Sequence, residues 1–365
     1  MRWFRISMLL IGAAVSMLGC VGPVVNKMAP DFPATVLNIV GNAPVVDGRE
    51  RFREIFCQML SEESDYQGPA GQCEQFLFKL NDEPLSSDPP LPLPTPKARY
   101  RILIVPGFLN ECFASIALPF IDAIPEIDDP RFKFEHLVVS GRSSSDANAA
   151  DIDDMITGLN LDKNEKLVLI GYSKGAADIL HFLHLFPQTA SCVSAVVSIA
   201  GAINGSRLAE RPGLIFDYQV QDLLSRDCEP GDDMALYDLR PAVSMSWLAD
   251  NPLPDSVLYF SIAAFTNRDN INTILKTGHA LLSIYDSRND GLLLISDQII
   301  PGGTLLGYVN ADHLSVALPL ENKNYLISST SQAPQKFPRK ALLRAVLGYL
   351  AEVMALDSEK VQSEN

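Results

Sequence analysis

The stretch KLVLIGYSKGAADILHFL, Lys166 to Leu183, decides the fold. Leu167 to Ile170 form a short apolar run that reads as a fully buried strand, and Ala176 onward carries the apolar spacing of an amphipathic helix. Between them stands Gly171-Tyr172-Ser173-Lys174-Gly175, a G-x-S-x-G pentapeptide in strand–turn–helix context. A turn this tight leaves no room for side chains two before and two after the serine. Glycine at both places lets the backbone double back and lifts Ser173 Oγ above the sheet, at a helix N-terminus. The N–H of Lys174 then points at whatever Ser173 attacks.

Outward from this stretch, apolar runs alternate with helical ones. Strands are expected at Arg101–Pro106, Phe134–Ser140, Lys166–Gly171, Ala195–Ala200, Val257–Ala264 and Thr304–Val309. Helices are expected at Ala147–Leu159, Ala176–Phe186, Asn270–Tyr285 and Arg339–Ala355. Buried strands alternating with helices imply an α/β protein with a mostly parallel sheet covered by helices on both faces. Active sites of such sheets gather at the carboxyl ends of the strands.

That rule sorts the five histidines. A nucleophilic serine needs a base to take its proton, an acid to orient the base, and donors for an oxyanion. His136 reads as lying near the start of a strand, at the far edge. His181 and His184 are carried away along the helix after Ser173, and His279 sits in mid-helix. His313 follows the last strand directly, on a loop at the correct edge. The orienting acid should precede His313 and follow the Val257–Ala264 strand. Asp290, in the turn Asn289-Asp290-Gly291, is the choice; Asp286 competes, and Asp297 and Asp312 are weaker candidates. The strand Arg101–Pro106 runs into Gly107-Phe108, whose turn can present the Phe108 N–H beside that of Lys174. This chemistry requires no metal and no cofactor.

These residues resemble the α/β-hydrolase family, and within it bacterial lipases and esterases. The resemblance rests on Val105-Pro106-Gly107-Phe108, the elbow at Ser173, Asn289-Asp290-Gly291 and Asp312-His313, in the family's order Ser…Asp…His. It covers about residues 98–355. Pro106 departs from the pattern, since lipases often carry His there. The resemblance implies an α/β-hydrolase domain over 97–357 and an ester-cleaving serine hydrolase acting through an acyl-enzyme. A serine peptidase or amidase, or a non-catalytic binding protein of the same shape, are the competing readings. The insertion over 204–254 is the family's usual place for a helical cap or lid. Its residues, Phe216, Tyr218 and Trp247 among them, suit an acyl cleft or the cap's own core.

The N-terminus MRWFRISMLLIGAAVSMLGC has two arginines, an apolar stretch and a small residue before Cys20, as a signal peptide does. Ser16-Met17-Leu18-Gly19-Cys20 resembles a bacterial lipobox, which implies cleavage of residues 1–19 and lipid on Cys20. Val21 rather than Asp after the cysteine points to the outer membrane, facing the periplasm. Removing 1–19 takes Arg2 and Arg5 and no acids, so 29 basic residues become 27 against 44 acidic, a balance of −17. Such a surface argues against nucleic acid and against docking on anionic headgroups. The lipid anchor would carry the membrane attachment. A lipid or other small ester is the expected partner.

In an oxidising compartment the remaining cysteines are expected to pair. Cys57 and Cys73 lie close together in a small N-terminal segment. Cys112 and Cys228 share the active-site edge, which predicts a second disulfide and leaves Cys192 free and buried. Residues 20–96 thus read as a tether, a small disulfide-bearing subdomain and the Pro-rich linker Ser86–Pro96; 358–365 form a tail.

Overall fold

The computed structural model describes residues 44–63, 72–80, 83–84, 91–92, 95, 97–108, 118–162, 164–211, 231–320 and 336–363. In chain order the strands are β1 (Val46–Asp47), β2 (Leu77–Phe78), β3 (Arg99–Val105), β4 (Phe132–His136), β5 (Glu165–Tyr172), β6 (Val193–Ile199), β7 (Leu258–Phe265) and β8 (Thr304–Asn310). They form one eight-stranded sheet in the order β1-β8-β7-β6-β5-β3-β4, with β2 also on β8. Every pairing is parallel except β2 with β8. The helices are α1 (Arg49–Ser61), α2 (Ser145–Thr157), α3 (Lys174–Leu185), α4 (Pro187–Ala190), α5 (Ala235–Asp238), α6 (Pro241–Asp250), α7 (Lys276–Leu282) and α8 (Arg339–Ser363).

The central strands β5, β6 and β7 are mainly apolar because both faces are covered, whereas β4 at the edge keeps Lys133 and Glu135 exposed. Successive side chains point to opposite faces, so each strand feeds two cores. Ile102, Ile104, Val168 and Ile170 pack with Phe52 and Phe56 of α1 and Leu342 and Val346 of α8. Leu103, Val105, Leu167 and Leu169 pack with Ile152 of α2 and Ile179 and Phe182 of α3. This is the α/β-hydrolase arrangement.

The N-terminal segment is small and is built into the sheet's edge. β1 runs parallel along the first half of β8 and β2 antiparallel along its second half. Arg53, buried on α1, donates to the carbonyls of Leu77 (2.8 Å) and Phe78 (2.7 Å) and pairs with Glu83. Cys57 and Cys73 form a disulfide at a sequence separation of 16.

Three expectations need correction. β4 ends at His136, so this histidine stands at the carboxyl end of its strand and not near the start; Leu137 N–H makes the last ladder bond, to Ile104 O (2.9 Å). The helix expected over 270–285 is only α7, preceded by a tight turn at Thr273–Leu275. Asn272 is the reason: its side chain accepts from Ile274 N–H (3.2 Å) and starts the helical run late. Cys192 is free but exposed, because the turn held by its N–H to Thr189 O (3.1 Å) places it just before β6. Cys20, Cys112 and Cys228 lie outside the described residues.

The part of the 204–254 insertion that is described is helical, with α5 and α6. It docks through acids on the N-terminus of α2. Asp232 accepts from Ser144 N–H (2.7 Å) and Oγ (2.5 Å), and Asp238 from Ser145 N–H (2.7 Å). Trp247 of α6 stacks on His181 of α3, with ring centroids 3.7 Å apart.

Candidate active site

β5 ends at Tyr172, and Ser173 stands at the N-terminal boundary of α3 with φ 56° and ψ −126°. Only a reversal this sharp turns a buried central strand straight into a helix, and a non-glycine residue is held there under strain. The flanking glycines make it sterically possible. A Cβ on Gly171 would sit 2.4 Å from Ala176 Cα, and one on Gly175 would sit 2.3 Å from Val105 O. The crowding is thus against α3 and β3, not between the two glycines. The Ser173 carbonyl accepts from Ala202 N–H (2.9 Å) and Ala176 N–H (3.2 Å), which pins the strained residue from two sides. Its side chain remains half-buried and reachable.

His313 arrives three residues after β8. Its Nε2 lies 2.8 Å from Ser173 Oγ and its Nδ1 lies 2.7 Å from Asp290 Oδ2. An ionised carboxylate can only accept, so Nδ1 carries the hydrogen and Nε2 offers its lone pair to the serine hydroxyl. Asp290 is fully buried, and its other oxygen accepts from the backbone N–H groups of Leu292 (2.9 Å) and Leu293 (2.7 Å). The His313 N–H returns to Asp290 O (2.9 Å). Every hydrogen-bonding atom of the carboxylate is therefore held. The arrangement can move a proton from Ser173 Oγ to His313 while Asp290 keeps the imidazole in one orientation.

The competing acids have other partners. Asp286 pairs with Arg288 (2.8 Å). Asp312 accepts from Ser315 (2.8 Å) and Leu314 (3.0 Å) N–H through one oxygen and from Asn272 N–H (2.8 Å) through the other, which shapes the loop carrying His313. Burial raises its carboxyl above the ordinary range. Burial pushes Asp297 up to about 7, with the nearby Asp290 charge adding to the shift. The other histidines are also occupied. His136 Nε2 meets Pro119 O (2.7 Å), His279 Nε2 meets Thr266 O (3.1 Å), and His181 Nδ1 meets Asp146 (2.6 Å). His184 packs edge-on against Trp247.

Lys174 follows the serine, and the turn before Phe108 lies against it. Gly107 approaches so closely that a Cβ there would stand 2.7 Å from Ser173 Cβ and 3.1 Å from Oγ. The Lys174 side chain, which sequence reasoning passed over, is fully buried behind the elbow. Its Nζ donates to Asp178 Oδ1 (2.6 Å), and Asp178 Oδ2 accepts from Asn148 (2.8 Å) on α2. The i,i+4 spacing of Lys174 and Asp178 was the available signal. Among the described residues, no cluster of three His, Cys, Asp or Glu could hold a metal ion, and no helix is long and apolar enough to cross a membrane.

No protein-family model and no curated protein matches the chain. Solved structures do. The metagenomic carboxyl esterase MGS0156 is 36% identical, with a TM-score of 0.77, over 90% of this chain and 98% of that one. The mature Bacillus licheniformis lipase BlEst2 is 20% identical with a TM-score of 0.50, over 62% of this chain and 89% of that one. Lipase 1 from Pelosinus fermentans is 14% identical with a TM-score of 0.50, over 70% and 98%. At these identities the two lipases share the fold with this chain.

Proposed function

The chain belongs to the family of the carboxyl esterase MGS0156, and from that premise we propose that it is a serine hydrolase cleaving carboxylic esters. The observation that carries this reading is the unbroken hydrogen-bond chain from Asp290 through His313 to Ser173, at 2.7 Å and 2.8 Å. In acylation, Ser173 Oγ bonds to the ester carbonyl carbon while its proton passes to His313 Nε2. The bond to the alcohol oxygen then breaks, and that oxygen leaves with the proton. In deacylation, water gives a proton to Nε2 as its oxygen bonds to the acyl carbon. The bond to Oγ breaks, and Oγ takes the proton back. Asp290 stabilises the imidazolium formed in each half. The Phe108 and Lys174 N–H groups serve as oxyanion donors, each contributing about 3 kcal/mol of barrier lowering.

The substrates are lipid or medium-chain acyl esters, a reading supported by the apolar residues of the 204–254 cap and by the sequence ahead of Cys20. Residues 1–19 act as a signal peptide, Cys20 carries the lipid, and 20–96 lead from that anchor into the sheet's edge. The protein then works on the periplasmic side of the outer membrane. Paired assays with p-nitrophenyl esters and the matching anilides test the reaction class. Ester cleavage is expected to dominate; anilide cleavage outrunning it would assign the triad to an amidase.

A further inference from the structure

His313 is gripped at four points, and one of them is supplied by the residue next to the nucleophile. Its N–H and its Nδ1 are both held by Asp290, and its Nε2 meets Ser173 Oγ. The fourth is its backbone carbonyl, which accepts from the Tyr172 hydroxyl at 2.7 Å inside the core. The Tyr172 ring also lies against the imidazole, with centroids 5.3 Å apart and planes inclined by 32°. We infer that Tyr172 is a positioning residue that keeps His313 aligned on the elbow during the half of the reaction in which Ser173 cannot do so. The inference rests on the serine hydrolase reading above.

Acylation changes the hydrogen bonds that hold His313. In the free enzyme Ser173 Oγ–H donates to Nε2 and ties the histidine loop to the end of β5. Once Oγ is esterified it has no hydrogen to donate, and that tie is gone. The bonds to Asp290 orient the ring but belong to the 290–293 turn, so they do not register the ring against the elbow. Tyr172 does, because it is the last residue of β5 and its hydrogen bond to the His313 carbonyl involves no reacting atom. Burial, reinforced by the charges of Asp290 and Asp312, holds its phenol well above the ordinary range, so it stays a donor throughout. Deacylation, where Nε2 must meet a water at the correct place, is therefore the step that depends on it.

The test is Y172F, which keeps the ring and removes only the hydroxyl. Acylation and deacylation rate constants for a p-nitrophenyl ester are measured by stopped-flow, with acyl-enzyme followed by intact mass. Deacylation is expected to slow on the order of 10-fold relative to acylation, with acyl-enzyme accumulating on Ser173, as misplacement of a catalytic group does. An unchanged ratio of the two rate constants in folded Y172F would overturn the inference and leave the hydrolase reading intact. A wild-type protein that forms no acyl-enzyme would overturn both. Should Y172F not fold, Y172M lacks the same donor and is scored by the same ratio.

Discussion

Asp290 is chosen over its neighbours by its surroundings. Its two oxygens accept from Leu292 and Leu293 N–H and from His313, whereas Asp286, four residues before the 290–293 turn begins, is bound to Arg288. D290N would place an amide against Nδ1 and favour the wrong imidazole tautomer; kcat for a p-nitrophenyl ester should fall by roughly 10⁴-fold with little change in melting temperature. Asp297 gives a pH signature. It is 7% exposed, and burial pushes its carboxyl up to about 7. In the unfolded chain it ionises near 4. Below that it is protonated in both states. From about pH 4 to about 7 the unfolded chain releases a proton that the folded chain keeps, so this group's contribution to stability falls by on the order of 4 kcal/mol and then levels off. Melting temperature measured across that range should decline less steeply in D297N than in the wild type; parallel curves would contradict the assignment. Ser173 and His313 were legible in the sequence because the pentapeptide and the position after the last strand fix them. The choice of acid was narrower, since it turns on which of several nearby carboxylates the 290–293 turn captures. Tyr172 was not legible: its role depends on a carbonyl 141 residues away.

The elements that carry the site were readable to within a few residues, since long apolar runs in a parallel sheet leave little choice. Their ends were less so. β4 stops at His136, and the 270–285 region breaks at Asn272 through a local hydrogen bond that no periodicity records. Where β3 hands over to the Phe108 turn, the approach of Gly107 to Ser173 is a constraint on the element as a whole. G107A would force Cβ within 2.7 Å of Ser173 Cβ and push the turn off the elbow. The expected result is a loss of about 100-fold in kcat/KM, as misplacement near 1 Å produces. The docking of the 231–254 segment is likewise a property of elements. Asp232 and Asp238 meet the N-terminus of α2, where a helix favours negative charge. Replacing both by Asn should loosen α5 and α6, seen as faster proteolysis within 231–254 while the sheet stays intact.

At the scale of the molecule, the N-terminal segment closes the sheet. β1 and β2 share the outer edge of β8, and α1 lies on α8 through Phe52, Phe56 and Tyr349. The sequence showed a cysteine pair there, but not that the segment completes the core, because two-residue strands carry no pattern. The Cys57–Cys73 link spans 16 residues, and its loss in C57S/C73S should cost about 3 kcal/mol of stability while ester turnover survives. The whole arrangement serves to bring β5, β8 and the 290–293 turn to one edge, where Ser173, His313 and Asp290 meet. The claim that this meeting makes Ser173 a nucleophile is tested most directly by treating the protein with a fluorophosphonate and locating the adduct by mass spectrometry. The account predicts one phosphonyl group on Ser173, lost in H313A. A folded protein that stays unlabelled, or that carries the label on another residue, would contradict it.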